Sequence, residues 1–443
     1  MFIDLLLSIF VLLTFLQTGL VCDYYLFSKK RFKFDLAIFL ALGIGSIAIF
    51  QMALGFFEVP LNSFLVIMLA FFAFLPYVFD KHLRRQVLGV VLDYKSIFQS
   101  SNPLVILLFI VFAFVAGYFT FSHPVWGYDA VQRWLAKAYI FWVDGGINKA
   151  NVHIVSPADD PNLWSVTASW FYFILGKADL FWVQTVPFAV FFCLTIKFWQ
   201  IVKREALGLF WLVIFMFTPF LWQTSTLKAY SGNADLLVGF YFLLAFSSLF
   251  YSKLSYTAIF LGLAALTKND ALPALLAFCA LVPFFGLKSK QKFPVSALFV
   301  GWALVLFNLG FKYYFSLGSR YLDNDWSLVL KQKPIIEYTK YSLHGFREEF
   351  RQVNHWGAGF LVIGYFILSR GGKVFKDRTL LLGLVLILAQ VVGYTWTYYV
   401  TREDQATQIA TSIFRLVLQV YPPLLLLVFV IYSGLPKFGN KAK

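Results

Sequence analysis

Residues 103–121 read Pro103-Leu-Val-Ile-Leu-Leu-Phe-Ile-Val-Phe-Ala-Phe-Val-Ala-Gly-Tyr-Phe-Thr-Phe121, without a single charge. A helix of that length rises about 28 Å, close to the ~30 Å of hydrocarbon in a bilayer. In lipid every backbone N–H and C=O must be satisfied within the segment, so an isolated apolar run of this kind reads as a spanning helix. Similar runs recur to either side, at 3–25, 35–56, 61–79, 181–200, 207–222, 234–251, 254–267, 271–286, 294–316, 356–369, 379–399 and 412–433. The expected fold class is therefore all-α, a polytopic transmembrane bundle of about 13 spans.

Composition agrees with that reading. Apolar residues make up 60% of the 443 positions, charged residues 13%, and Phe alone occurs 54 times, which leaves little sequence for a soluble domain. The chain carries a formal charge of +15, a value that in a soluble protein would raise nucleic acid as a partner. Most of its bases instead fall in short links between apolar runs, where they act as topology signals and as contacts to anionic membrane lipids. Nucleic acid is not an expected partner.

The basic links Lys29–Lys33, Lys81–Lys95, Lys197–Arg204, Lys253, Lys288–Lys292, Arg370–Arg378 and Lys437–Lys443 occupy every second connection. Placing them in the cytoplasm puts three long segments outside: 122–180, 317–355 and 400–411. The first run follows Met-Phe-Ile-Asp with no basic n-region and no cleavage signature, and reads as an anchor rather than a signal peptide. No Asn-x-Ser/Thr sequon occurs, so the default location is a bacterial inner (cytoplasmic) membrane with chemistry on the external side. Cys22, Cys193 and Cys279 have neither metal-ligand spacing nor an even count, and read as packing thiols.

Four stretches place acids and bases at the rims of the apolar runs. In the first, Trp126-Gly-Tyr128-Asp129-Ala130, the acid is followed at intervals of four by Arg133 and Lys137, with apolar residues over the rest of the helix; an interfacial helix is expected in the first long external loop. The plain alternative makes Asp129 an N-cap and the bases snorkelling side chains. The second, Asp159-Asp160-Pro161-Asn162, is also an ordinary helix start, although two acids on one external loop suit removal of a hydroxyl proton. The third runs from Lys228 to Asp235 and the fourth is Thr267-Lys268-Asn269-Asp270, a turn between two short runs. Such a turn is expected to be recessed below the headgroups, where an ionisable residue is costly and a functional candidate. Arg415 stands near the start of the last run. Asp323-Asn324-Asp325 resembles an acidic metal site only weakly, so no metal site and no cofactor are expected, a divalent cation being the one group left open.

Taken in order, these landmarks resemble the GT-C superfamily of polytopic, lipid-linked-sugar glycosyltransferases, near the protein O-mannosyltransferase and aminoarabinose-transferase groups. They are Gly127-Tyr-Asp-Ala130, Lys137-Ala138, Asp159-Asp-Pro161, Gly232-Asn-Ala-Asp235, Ala264 through Asp270, and Arg415 through Pro422, covering about two thirds of the chain. The chain departs from the pattern with about three spans before the first long loop where one is usual, and with an acid where an aromatic commonly separates Asp from Pro.

The resemblance implies N-terminal transmembrane helices over 1–100 and a catalytic membrane domain over 101–443, within a single membrane unit. It also implies transfer of a sugar from a polyprenyl-phosphate donor to a lipid, polysaccharide or protein acceptor of the cell envelope. Asp129 is then the general base, with Asp159 or Asp160 the second acid. Lys228, Lys268, Arg415, Arg133 and Lys137 are expected at the donor phosphate, and Asp235, Asn269, Asp270 and Tyr128 at the substrate. A secondary transporter or flippase of an anionic lipid or sugar is the alternative, for which paired repeats and ionisable residues at helix midpoints would be the signs.

Overall fold

A computed structural model describes residues 1–28, 35–85, 87, 102–155, 158–203, 205–225, 232–287, 295–318, 335–400 and 404–434. Among them there are helices and turns but no strand. Among the described residues, seven helical segments are long and apolar enough to cross a membrane: Phe2–Phe27, Leu36–Phe56, Pro103–Thr120, Trp182–Val202, Val295–Tyr314, Arg378–Val400 and Gln405–Ser433. By length and composition the chain is a multi-pass membrane protein. Shorter apolar helices, including Asp235–Phe250 and Leu254–Thr267, accompany them.

The chain divides into two compact units that interleave along the sequence: residues 1–156, 163–201 and 222–233 in one, and 157–162, 202–221 and 234–443 in the other.

The first unit holds α1 (Phe2–Asp23), α2 (Leu36–Phe56), α3 (Ser63–Phe72), α4 (Leu75–Phe79), α5 (Pro103–Thr120), α6 (Ala136–Val143), α7 (Leu163–Leu175) and nearly all of α8 (Thr185–Val202). Its tightest pairing is α1 on α2, which two glycines permit. A Cβ on Gly19 would lie 1.7 Å from the Phe39 carbonyl oxygen, and one on Gly43 1.7 Å from that of Phe15. Backbones can approach this closely only where the side chain is absent, the usual device of membrane helix pairs. Every residue of α7 is buried, against α1, α2, α3 and α6. The sequence places this stretch inside an external loop, because its 13 residues fall short of a bilayer; in the structure it is a core helix.

The second unit comprises α9 (Gly208–Met216), the first part of α10 (Pro219–Ser225), α11 (Asp235–Phe250), α12 (Leu254–Thr267), α13 (Leu272–Leu287), α14 (Val295–Tyr314), α15 (Ile335–Phe350), α16 (Val353–Trp356), α17 (Gly359–Arg370), α18 (Arg378–Val400) and α19 (Gln405–Ser433). All of α11 is buried, packed on α12, α18 and α19. The single run expected at 207–222 breaks at Thr218-Pro219, where proline removes a helix hydrogen bond and the Thr218 hydroxyl turns back to Ile214 O at 2.8 Å. The last helix starts earlier than its apolar run, because the Asp404 carboxylate accepts from the Thr407 N–H at 2.9 Å and from its hydroxyl at 3.0 Å. Those bonds cap the helix and hold the Asp404 carboxyl below its usual range. Arg415 is thereby the eleventh residue of α19.

Candidate functional site

The site in the second unit is built from the turn between α12 and α13. The Thr267 hydroxyl closes α12 by donating to Leu263 O at 2.7 Å, and Lys268 leaves the helix in extended conformation, φ −147° and ψ 141°. Residues Asn269–Ala271 form one 3-10 turn, and Pro273 follows at the second position of α13, where the missing N–H has no helical partner to lose. Lys268 Nζ donates to Asp235 Oδ1 at 2.8 Å, at the start of α11, and to Asp270 Oδ2 at 3.1 Å. Gln419 Nε2, from α19, donates to the same Asp235 oxygen at 2.6 Å, while Gln419 Oε1 accepts from the Tyr394 hydroxyl at 2.8 Å. Arg415 lies one turn before Gln419 on α19, within electrostatic reach of both Asp235 and Lys268.

The Asp235 side chain is 1% exposed and that of Lys268 13%. A carboxylate so far from water costs several kcal/mol unless it is paired and hydrogen-bonded, so the Lys268 and Gln419 bonds are conditions of its being there.

A second set of bonds joins the acidic loop to this turn. The Asn269 amide donates from Nδ2 to Asp159 O at 3.0 Å and accepts at Oδ1 from Lys312 Nζ at 2.5 Å. Gln390 donates to the Asp270 carbonyl and accepts from the Ala274 N–H at 3.3 Å, pinning the other end of the turn to α18. Asp159 and Asp160 are both buried. Asn162 is also buried, and neither of its amide atoms has a hydrogen-bond partner.

The first unit carries the other set of expected residues. Ala130–Leu135 is one π-helical segment, which passes into α6 at Ala136. Insertions of this kind are frequent at functional sites. Asp129 precedes it in helical conformation and makes no side-chain capping bond, so capping does not explain the acid. Asp129 and Arg133 are half-buried, Lys137 is buried, and Trp126 and Tyr128 are exposed at 65% and 80%. Lys137 is thus more deeply buried than Asp129 and Arg133.

Of the expected residues, Asp159, Asp235, Lys268, Asn269, Asp270 and Arg415 gather in the second unit, with Asp160 next in the same loop. Asp129, Tyr128, Arg133 and Lys137 belong to the first. Lys228 and the Asp323-Asn324-Asp325 triplet lie outside the described residues. Lys268, read from sequence as a phosphate ligand, is paired with two carboxylates, Asp235 and Asp270. Sequence reasoning passed over Lys312, Gln390, Gln419 and Tyr394. The signal was there for three of them, since a lysine or a glutamine inside an apolar run is costly wherever lipid is the solvent. Among the described residues no group of three or more His, Cys, Asp and Glu side chains is arranged to hold a metal ion.

No protein-family model, curated protein or solved structure matches this chain.

Proposed function

We propose that this chain is a GT-C-like glycosyltransferase. In this reading it transfers a sugar, with inversion, from a polyprenyl-phosphate donor to an acceptor hydroxyl at the external face of a bacterial inner membrane. The short helices count as spans, about 13 in all, and the segment around Asp129 lies in the interface. The greasy carrier stays in the bilayer while the acceptor arrives from water.

The observation that carries the reading is the meeting of four separated landmarks in one unit: the Asp159 loop, the Asp235 helix start, the Lys268-Asn269-Asp270 turn and Arg415 form one polar cluster inside an otherwise apolar bundle. Buried ionic groups are expensive in a membrane protein and mark function by default. A leaving phosphate develops negative charge, which fixed cations held by oriented carboxylates are suited to stabilise. Because Lys268 is committed to Asp235 and Asp270, its part here is to hold the turn and set the local field. Asp129, half-buried and not used as a cap, takes the acceptor proton.

Arg415 and Gln419, well inside α19, also suit a transporter or flippase for an anionic lipid or sugar. The two readings separate in one assay. The purified chain in nanodiscs is given radiolabelled polyprenyl-phosphate sugars and candidate envelope acceptors. Transfer is expected, falling by roughly 10²-fold or more in Asp129→Asn with unchanged thermal unfolding. Substrate crossing in vesicles without transfer, or full transfer by Asp129→Asn, would overturn the assignment.

A further inference from the structure

The last turn of α15 carries a buried acid that the cluster above does not use. Glu349 Oε1 accepts two hydrogen bonds, from His355 Nδ1 at 2.6 Å and from Trp356 Nε1 at 2.9 Å. The carboxylate is 7% exposed and the imidazole 30%. Phe220 and Phe414 flank the ring with centroids at 5.4 and 6.0 Å, and Gly357 ends the short helix α16 with φ +54°. The His355 ring is therefore fixed on several sides, with Nδ1 committed to an acid and Nε2 as the ring nitrogen left for a ligand.

The carboxylate matters chemically. It carries no proton donor of its own, so accepting from the ring at 2.6 Å it fixes a proton on Nδ1 and leaves Nε2 for a ligand. Histidines that bind or act through one nitrogen are commonly oriented this way through the other. With a proton also on Nε2, a ring held in this way is a directed donor for an oxygen anion. The dyad is also close to the polar cluster: Tyr398 lies within electrostatic reach of Glu349 as well as of Asp270 and Arg415. Phe414, against the imidazole, immediately precedes Arg415 in α19.

We propose that Glu349 and His355 form a carboxylate–imidazole dyad that presents Nε2–H to the phosphate group of the lipid-linked substrate. The ligand class follows from the proposed function, while the dyad rests on its own geometry. Trp356 completes it by holding the same carboxylate oxygen, and Phe220 and Phe414 keep the ring from turning.

The test is binding to the full chain in detergent, measured calorimetrically with polyprenyl phosphate and with inorganic phosphate, beside sugar transfer and thermal unfolding. His355→Ala is expected to weaken polyprenyl phosphate binding by about 10-fold or more, the scale of one charge-assisted hydrogen bond. His355→Gln, which keeps a donor near Nε2, is expected to recover part of that loss, and Glu349→Gln to fall between wild type and His355→Ala. A parallel loss for inorganic phosphate places recognition in the phosphate alone; a loss confined to the lipid requires the prenyl chain as well. Binding by His355→Ala and His355→Gln equal to wild type, or no binding of either phosphate by wild type, would overturn the dyad. Should wild type bind polyprenyl phosphate and lose it in His355→Ala yet transfer no sugar, the dyad stands and the glycosyltransferase reading falls. Should His355→Ala fail to fold, His355→Gln carries the comparison.

Discussion

Lys268 shows what a single residue does here. It sits between Asp235 and Asp270 and supplies the charge that allows Asp235 to be ionised at 1% exposure. Removing one partner of a buried pair leaves the other charge uncompensated, at a cost of about 3–5 kcal/mol. Lys268→Ala is accordingly expected to lower the midpoint of thermal unfolding in detergent markedly. Lys376→Ala, at an exposed position, is expected to leave it in place. Equal midpoints in the two variants would show that the Asp235 pair does not hold the turn. The ionisable members of the cluster were legible in the sequence, because lysine and aspartate beside apolar runs stand out. Gln419 was passed over: an amide in a long apolar run signals a cost but does not name the partner that offsets it, and its bond to Asp235 spans 184 residues of sequence.

At the scale of elements, helix pairing depends on small residues as much as on apolar ones. The α1–α2 crossing is closed by Gly19 and Gly43, whose missing Cβ atoms would collide with backbone that cannot step aside locally. Gly43→Ala is expected to destabilise the first unit by about 1–3 kcal/mol, the usual range for an overpacked contact. Gly117→Ala in α5, where an added Cβ meets nothing within 4 Å, is expected to be neutral or mildly stabilising because alanine is the better helix former. Unfolding curves of the two variants that overlay would remove the close crossing. Most apolar runs were legible as helices. The break at Thr218-Pro219, the burial of α7 and the amphipathic helix α15 were not drawn from the sequence: the first was submerged in a continuous apolar run, the second follows a legible helix start but is too short for a span, and the third is too polar for one. Ser342, Phe346 and Glu349 of α15 are buried because α18 and α19 lie against that face.

For the whole molecule, the proposed orientation follows from the alternation of basic links. With the native cysteines replaced, Ala150→Cys in the first long loop is expected to react with an impermeant thiol reagent on intact cells. Lys373→Cys, between α17 and α18, is expected to react only after permeabilisation. Both positions are solvent-exposed, so access is set by the side of the membrane. Labelling at Lys373→Cys alone would invert the orientation and with it the external chemistry.

The sequence by itself determined that this is a helical, multi-pass membrane protein, and it marked several of the ionisable residues that gather in the second unit. Both are local properties: about 20 apolar residues in a row must form a helix in lipid, and a charge beside such a run is costly whatever surrounds it. Only the tertiary structure decided partners. That Lys268 meets Asp235, that Asn269 joins Lys312 to the Asp159 loop, and that Glu349 takes up both His355 and Trp356 depend on which helix faces pack together. In a chain whose helices are apolar nearly all round, hydropathy does not distinguish one face from another, so the choice falls to close-packing of small residues and to the few polar groups that must find each other.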